Sequence, residues 1–221
     1  MPPAETPLEL IRSARHRLAE DGPASVRHTG DFDRVSVPSS DADALRDWLL
    51  VHRAQVVIEI GLAYGASALA IAEALVTNGA SDDCHLIIDP FQDQFNDAGW
   101  DLLMSAGLLD LCSLKRERSQ LALARLAAES FVADAAFVDG SHIFHNVFVD
   151  LFFLDELVRP GGLVILDDCN WPSVATAANY FEKNAGWQLQ PTLRETRLRS
   201  YRLPDPKVDP QFQDFQRFGL D

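Results

Sequence analysis

From Val56 to Asn184 the chain alternates short apolar runs with longer stretches of helical spacing, and this alternation leaves few folds open. The apolar runs are Val56–Ile60, His85–Ile88, Cys112–Lys115, Ala135–Val138 and Leu163–Leu166. Between and after them, Ala66–Thr77, Asp97–Ala106, Ser119–Glu129, Asn146–Val158 and Val174–Asn184 carry the helical pattern, as segments with a buried face do. Strands too uniformly apolar to alternate in and out belong to a parallel sheet covered on both sides. The helices between them are then its crossover connections. Trp187–Gln190 and Leu198–Leu203 follow with only a polar segment between them, so this last pair is expected to be antiparallel. The expected architecture is α/β: a doubly wound, mostly parallel sheet with a terminal antiparallel hairpin at one edge.

Local signals punctuate this pattern. Asn78-Gly79 closes one helix, and Arg159-Pro160-Gly161-Gly162 is expected to stop another before its strand. Ser119 reads as an N-cap. Upstream, Leu8–Ala19 has helical spacing, Asp21–Ser40 reads as an extended connection, and a helix over Asp41–Arg53 is opened by Ser40. Three regions result: residues 1–40 as an N-terminal helix and connection, 41–203 as the main domain, and 204–221 as a polar tail. The tail carries Phe212, Phe215 and Phe218, rings suited to docking on the domain or on a second subunit in a homodimer.

A chain of 221 residues suits one compact domain. Its net charge of −14 argues against nucleic acid as a partner, because phosphate binding rests on clustered Lys and Arg. No apolar run approaches the roughly 20 residues that span a bilayer, and residues 1–20 lack the basic start and apolar block of a secretion signal. Cys84, Cys112 and Cys169 match no zinc spacing and are odd in number. The cytoplasm is the expected location.

In an open α/β sheet, ligands bind beyond the carboxyl ends of the strands. Here those ends carry Glu59 to Gly61, Asp89, Asp139 and Asp167-Asp168. Carboxylates at the rim of a buried sheet are costly unless something pairs with them. Any one of the four reads equally well as a helix cap; together they point to a site. Gly61 and Gly65 allow a tight turn and a close ligand approach before a helix N-terminus. Their spacing is neither that of a dinucleotide fold nor that of a phosphate loop. Asp89 stands where an acid accepts from ribose hydroxyls. Ser119-Gln120 lie where an adenine edge would fall. His142 is placed to act as a general base; His145 and Trp171 are weaker candidates, for a base and for a wall of the acceptor pocket.

Four stretches carry a family resemblance: Val57-Ile-Glu59-Ile-Gly61-Leu-Ala-Tyr64-Gly65-Ala-Ser67; Ile88-Asp89-Pro90; Phe137-Val-Asp139-Gly140-Ser-His142 with Val147 and Asp150-Leu151; and Leu157-Val-Arg-Pro160-Gly161-Gly162 running to Asp167-Asp168. In this order they resemble the small O-methyltransferase-like family of class I S-adenosylmethionine-dependent methyltransferases, related to catechol and macrocin-type enzymes. The resemblance implies the Rossmann-like methyltransferase fold. It places Glu59, Gly61, Tyr64 and Ser67 around the methionine part of S-adenosylmethionine, Asp89 at its ribose, and Ser119 and Asp139 against the cofactor. It makes Asp139 and His142 catalytic. From metal-dependent relatives it implies Mg2+ or a similar divalent cation on Asp139, Asp167 and Asp168, a hard oxygen set. The implied reaction is methyl transfer to a hydroxyl of a small molecule. The alternatives are another metal-assisted reaction on the same fold, or a non-catalytic S-adenosylmethionine-binding protein.

Overall fold

A computed structural model describes residues 5–25, 30–192 and 194–219. Helix α1 (Pro7–Asp21) begins at a full capping box: the Thr6 hydroxyl accepts from Glu9 N–H while the Glu9 carboxylate accepts from Thr6 N–H, so two of the orphan amides of the first turn are satisfied. Helix α3 (Ser39–Val51) follows a short helix α2 (Asp31–Val35). Strands and crossover helices then alternate: β1 (Val57–Ile60), α4 (Ala66–Asn78), β2 (His85–Ile88), α5 (Ala98–Ser105), β3 (Cys112–Lys115), α6 (Ser119–Ala128), β4 (Ala133–Val138), α7 (Phe144–Leu157), β5 (Val158–Leu166) and α8 (Pro172–Asn184). The hairpin β6 (Gln188–Leu189) and β7 (Arg199–Arg202) ends the sheet.

The seven strands lie in the order β3-β2-β1-β4-β5-β7-β6. The first five are parallel, and β7 is antiparallel to both β5 and β6, so the expected mostly parallel sheet with a terminal hairpin is what forms. Its order reverses between β1 and β4, the place where an open sheet leaves a crevice above its strand ends. Two apolar layers sandwich it. One joins Leu45, Leu49, Leu69 and Ile71 of α3 and α4 with Phe137 and Ile165 of the sheet. The other joins Leu123, Leu151, Leu154 and Phe181 of α6, α7 and α8 with Ile58, Ala136 and Val164. Successive strand residues thus feed opposite layers.

The helices of the first layer are also tied by charge. Glu73 of α4, nearly buried, takes Arg12 and Arg15 of α1, and Arg15 and Arg46 converge on Asp43 of α3. No helix among the described residues is long and apolar enough to cross a membrane. In the tail, Phe215 and Phe218 pack on Tyr180 of α8, and Asn179 and Asn184 donate to the carbonyls of Phe218 and Gln216. Phe212 stays in solvent.

Several local expectations are corrected. The connection read as extended over Asp21–Ser40 contains α2, opened by Gly30 with φ of 79°; residues 26–29 of that stretch lie outside the described residues. α3 starts at Ser39 after Pro38, with no side-chain cap from Ser40. Ser119 is the first helical residue of α6 rather than its cap, and its hydroxyl hydrogen-bonds Asp150. The Pro160-Gly161-Gly162 stretch does not separate helix from strand: β5 begins at Val158 and runs through it. Pro160 is tolerated because the ladder with β4 shifts register there, and a Cβ at Gly162 would meet the Asp134 carbonyl at 2.6 Å.

Candidate functional site

The glycine loop after β1 is shaped by close backbone approaches. Gly61 has φ of 94°, and a Cβ there would lie 2.3 Å from the carbonyl oxygen of Asp139 at the end of β4. Gly99 at the start of α5 plays the reciprocal part: its Cβ would lie 2.4 Å from the Ala63 carbonyl. Only glycine fits either position, so the loop is clamped between β4 and α5.

Asp89, at the end of β2 and 4% exposed, holds this loop. Its Oδ2 accepts from the amides of Leu62 (3.0 Å) and Ala63 (3.2 Å) and from Gln92 Nε2 (2.9 Å), while Oδ1 accepts from the Phe91 amide (2.7 Å). Gln92 also donates to the Ala63 carbonyl. Oδ1, with one partner, keeps acceptor capacity for a further donor.

Above these strand ends lies a cavity of about 590 Å³, lined by Gly61, Ala63, Asp89, Ser119, Asp139, His142, Asp168 and Arg197, with Arg34 and Val35 of α2 across from them. This is the size range of small-molecule sites. Gly61, Asp89, Ser119, Asp139, His142 and Asp168, all singled out from sequence, line this one space.

Glu59, Ser67 and Tyr64 lie behind that lining. Glu59 Oε1 accepts from the Ser67 hydroxyl at 2.5 Å, and its Oε2 is 2.8 Å from His85 Nε2, with both side chains of this pair fully buried. His85 Nδ1 contacts the Cys112 sulfur at 3.5 Å, so a carboxylate, an imidazole and a thiol span β1, β2 and β3. Burial opposes charge on the imidazole, but Cys112 and then Glu59 outweigh it and raise His85 to about 10. Tyr64 is buried between Phe32 and Phe95, and its hydroxyl donates to Asp31 of α2 at 3.1 Å. The tyrosine thereby ties the glycine loop to the helix that faces it.

Opposite the glycine loop, acids gather at the ends of β4 and β5. Burial, followed by the charges of Asp167 and Asp168, pushes the Asp139 carboxyl well above the usual range, against the pull of Arg197. Asp168 has φ of 56°, an uncommon conformation for a residue with a side chain, and its Oδ2 lies 2.7 Å from His142 Nε2. The His142 ring is stacked toward Trp171, 6.5 Å between centroids. Asp139, His142 and Asp168 each offer a ligand atom, all within 4.8 Å of one another.

Asp167 goes elsewhere. Its side chain is fully buried and takes Arg197 in a two-pronged pair, Nε to Oδ1 at 2.9 Å and Nη2 to Oδ2 at 2.7 Å. Arg197 also lies 3.3 Å from Asp41 Oδ2 at the start of α3. The geometry therefore joins His142 to Asp139 and Asp168, and separates Asp167 from them.

Sequence reasoning passed over His85, Gln92, Gly99 and Arg197. His85 left a signal, a histidine in an otherwise apolar strand beside one carrying Glu59. Arg197 left none, because its partner is 30 residues away in sequence.

Comparison with known proteins agrees with this fold. In a search of curated proteins nothing matched. Among solved structures the fold resembles the O-methyltransferase from Bacillus cereus in complex with SAH (17% identity, 91% of this chain and 93% of that one, TM-score 0.59). It also resembles the O-methyltransferase TomG from Streptomyces achromogenes in complex with SAM (19%, 91% and 91%, 0.62) and the SAH-bound methyltransferase PaMTH1 from Podospora anserina (16%, 91% and 89%, 0.63). The family model described as methyltransferase domain matches residues 58–169, half of the chain and all of the strand ends that line the cavity except the hairpin side. By that match this chain belongs to the methyltransferase domain family.

Proposed function

We propose that this methyltransferase moves a methyl group from S-adenosylmethionine to a hydroxyl of a small molecule. The observation that carries this reading is the His142–Asp168 pair, 2.7 Å apart, facing the glycine loop across one cavity. The resemblance to SAM- and SAH-bound O-methyltransferases supports it. S-adenosylmethionine supplies an electrophilic methyl on a sulfonium, so the protein's task is to place an oxygen in line with it and take that oxygen's proton. The glycine loop and the start of α4 receive the methionine end. Asp89 meets the ribose, and Ser119 and Gln120 meet the base. Asp168 orients His142 through Nε2, which leaves Nδ1 to take the hydroxyl proton as general base. Asp139 stands beside it on the same wall of the cavity.

A divalent cation, when bound here, would draw the acceptor oxygen into place and lower its pKa. Asp139 and Asp168 fit such an ion. Asp167, engaged by Arg197, does not. The reaction would run in the cytoplasm, and the exposed Phe212 beside the docked tail suits a contact with a second copy.

The test is transfer of labelled methyl from S-adenosylmethionine to a panel of phenols, vicinal diols and sugar hydroxyls. Transfer to at least one oxygen acceptor, lost in His142→Ala, is expected. Transfer only to nitrogen or sulfur acceptors, or none by a protein that binds the cofactor, would overturn the reading.

A further inference from the structure

The three-carboxylate set implied for Mg2+ is not what the structure assembles. Arg197 neutralises Asp167 with two hydrogen bonds, and the Asp167 side chain is fully buried. A ligand carboxylate must turn its lone pairs to the ion, and those of Asp167 are turned to a guanidinium and to the Asp168 amide. In its place stands an imidazole. A ring nitrogen of His142, a carboxylate oxygen of Asp139 and one of Asp168 lie within 4.8 Å of one another on the wall of the cavity. We propose that Asp139, His142 and Asp168 form a two-carboxylate, one-imidazole site that selects a borderline transition cation such as Co2+ or Zn2+ over Mg2+.

The chemistry of the donor set argues for that choice. Mg2+ seeks all-oxygen octahedra and gives up water reluctantly. An imidazole nitrogen favours the later divalent metals, whose affinity for such ligands rises toward the end of the series. In octahedral coordination, metal–ligand bonds of about 2.1 Å put neighbouring ligands about 3 Å apart and opposed ligands about 4.2 Å apart. His142 and Asp168, at 2.7 Å, already stand close to the neighbouring spacing, and the Asp139 oxygen lies within 4.8 Å of both. Among the described residues no hydrogen bond engages the Asp139 carboxylate, although it sits at a walled-in strand end beside two other acids. A nitrogen lone pair that holds the ion cannot also take a proton, so metal and proton compete at the ligating nitrogen of His142.

The inference rests on the proposed function only for the location of the site, and its test uses neither cofactor nor acceptor. The cofactor-free protein, stripped with EDTA and dialysed, is titrated calorimetrically with Co2+ and with Mg2+, and the Co2+ form is followed by its visible absorption. The expected result is one Co2+ per chain, at least about tenfold tighter than Mg2+, with His142→Ala abolishing that preference. Asp167→Asn, which spares the three ligands, should retain Co2+ binding. Circular dichroism of each variant separates lost ligation from lost folding. Equal affinity for Mg2+, an unchanged Co2+ isotherm in His142→Ala, loss of Co2+ in a folded Asp167→Asn protein, or no ion bound at all would each overturn the proposal. Failure of methyl transfer in the presence of normal Co2+ binding would count against the proposed function instead.

Discussion

His85 Nε2 lies 2.8 Å from Glu59 Oε2, and neither side chain is reached by solvent. The pair joins β1 to β2 directly beneath the glycine loop. Removing one member of a buried ion pair leaves the other uncompensated, which costs about 3–5 kcal/mol. His85→Leu should therefore lower the thermal midpoint by about 6–20 degrees or abolish soluble expression. Adding Glu59→Gln should restore much of the loss, because the stranded charge is gone. A double variant as unstable as His85→Leu alone would show that packing, not charge, sets the cost.

The pairing of His142 with Asp168 makes a kinetic prediction. Loss of a general base costs about 10²–10⁴-fold in rate. His142→Ala should lower kcat by that order with S-adenosylhomocysteine affinity nearly unchanged. Asp168→Asn should give a smaller loss in the same parameter. Steady-state kinetics and calorimetry on the same preparations separate the two effects. A loss confined to cofactor affinity would remove His142 from proton transfer.

Gly61 has space for nothing larger. Its Cβ position lies 2.3 Å from a backbone oxygen, and its φ is in the left-handed region. Gly61→Ala must push β1 away from β4 at the point where the cofactor loop begins. A fall in thermal midpoint and a cofactor affinity too weak to measure are expected. Gly107→Ala, where the added Cβ meets nothing within 4 Å, serves as a control: it carries the φ penalty alone and should bind normally.

Asp150 makes stability depend on pH. Burial raises its carboxyl to about 7, despite hydrogen bonds from Ser119 and Gln120 that pull it down. The folded chain therefore holds this proton more tightly than the unfolded chain does. The resulting stability is fully present below the ordinary value near 3.8 and is lost as pH rises through about 7. Asp150→Asn should be more stable than the parent at pH 8, with the advantage shrinking toward pH 5. Thermal midpoints across that range check the slope, and an Asn variant that tracks the parent at every pH would contradict it.

The sheet was legible in the sequence because its five parallel strands are short, apolar and separated by helices of ordinary length. Their acidic ends were legible for the same reason: Asp89, Asp139 and Asp168 stand out against apolar neighbours, and the fold sends every parallel strand's end to one rim. Side-chain partnerships were not. Asp139, Asp167 and Asp168 look alike in sequence, and only Arg197, brought over by the antiparallel return of β7, distinguishes Asp167 from the other two. The partnership of Glu59 with His85 was likewise hidden until β2 brought the histidine beside it. The short helix α2 carries too few residues to show a period, and the Pro-Gly-Gly stretch reads as a break because its strand tolerates a register shift that no local pattern announces.

The central claim is that the cavity above Gly61, Asp89 and Asp139 receives S-adenosylmethionine. Calorimetric titration of the EDTA-treated protein with S-adenosylhomocysteine tests it most directly, since it requires neither metal nor acceptor. One site per chain with a dissociation constant in the micromolar range is predicted, weakened strongly by Asp89→Ala. No binding of S-adenosylhomocysteine or S-adenosylmethionine at high micromolar concentration, by a protein shown to be folded, would contradict it.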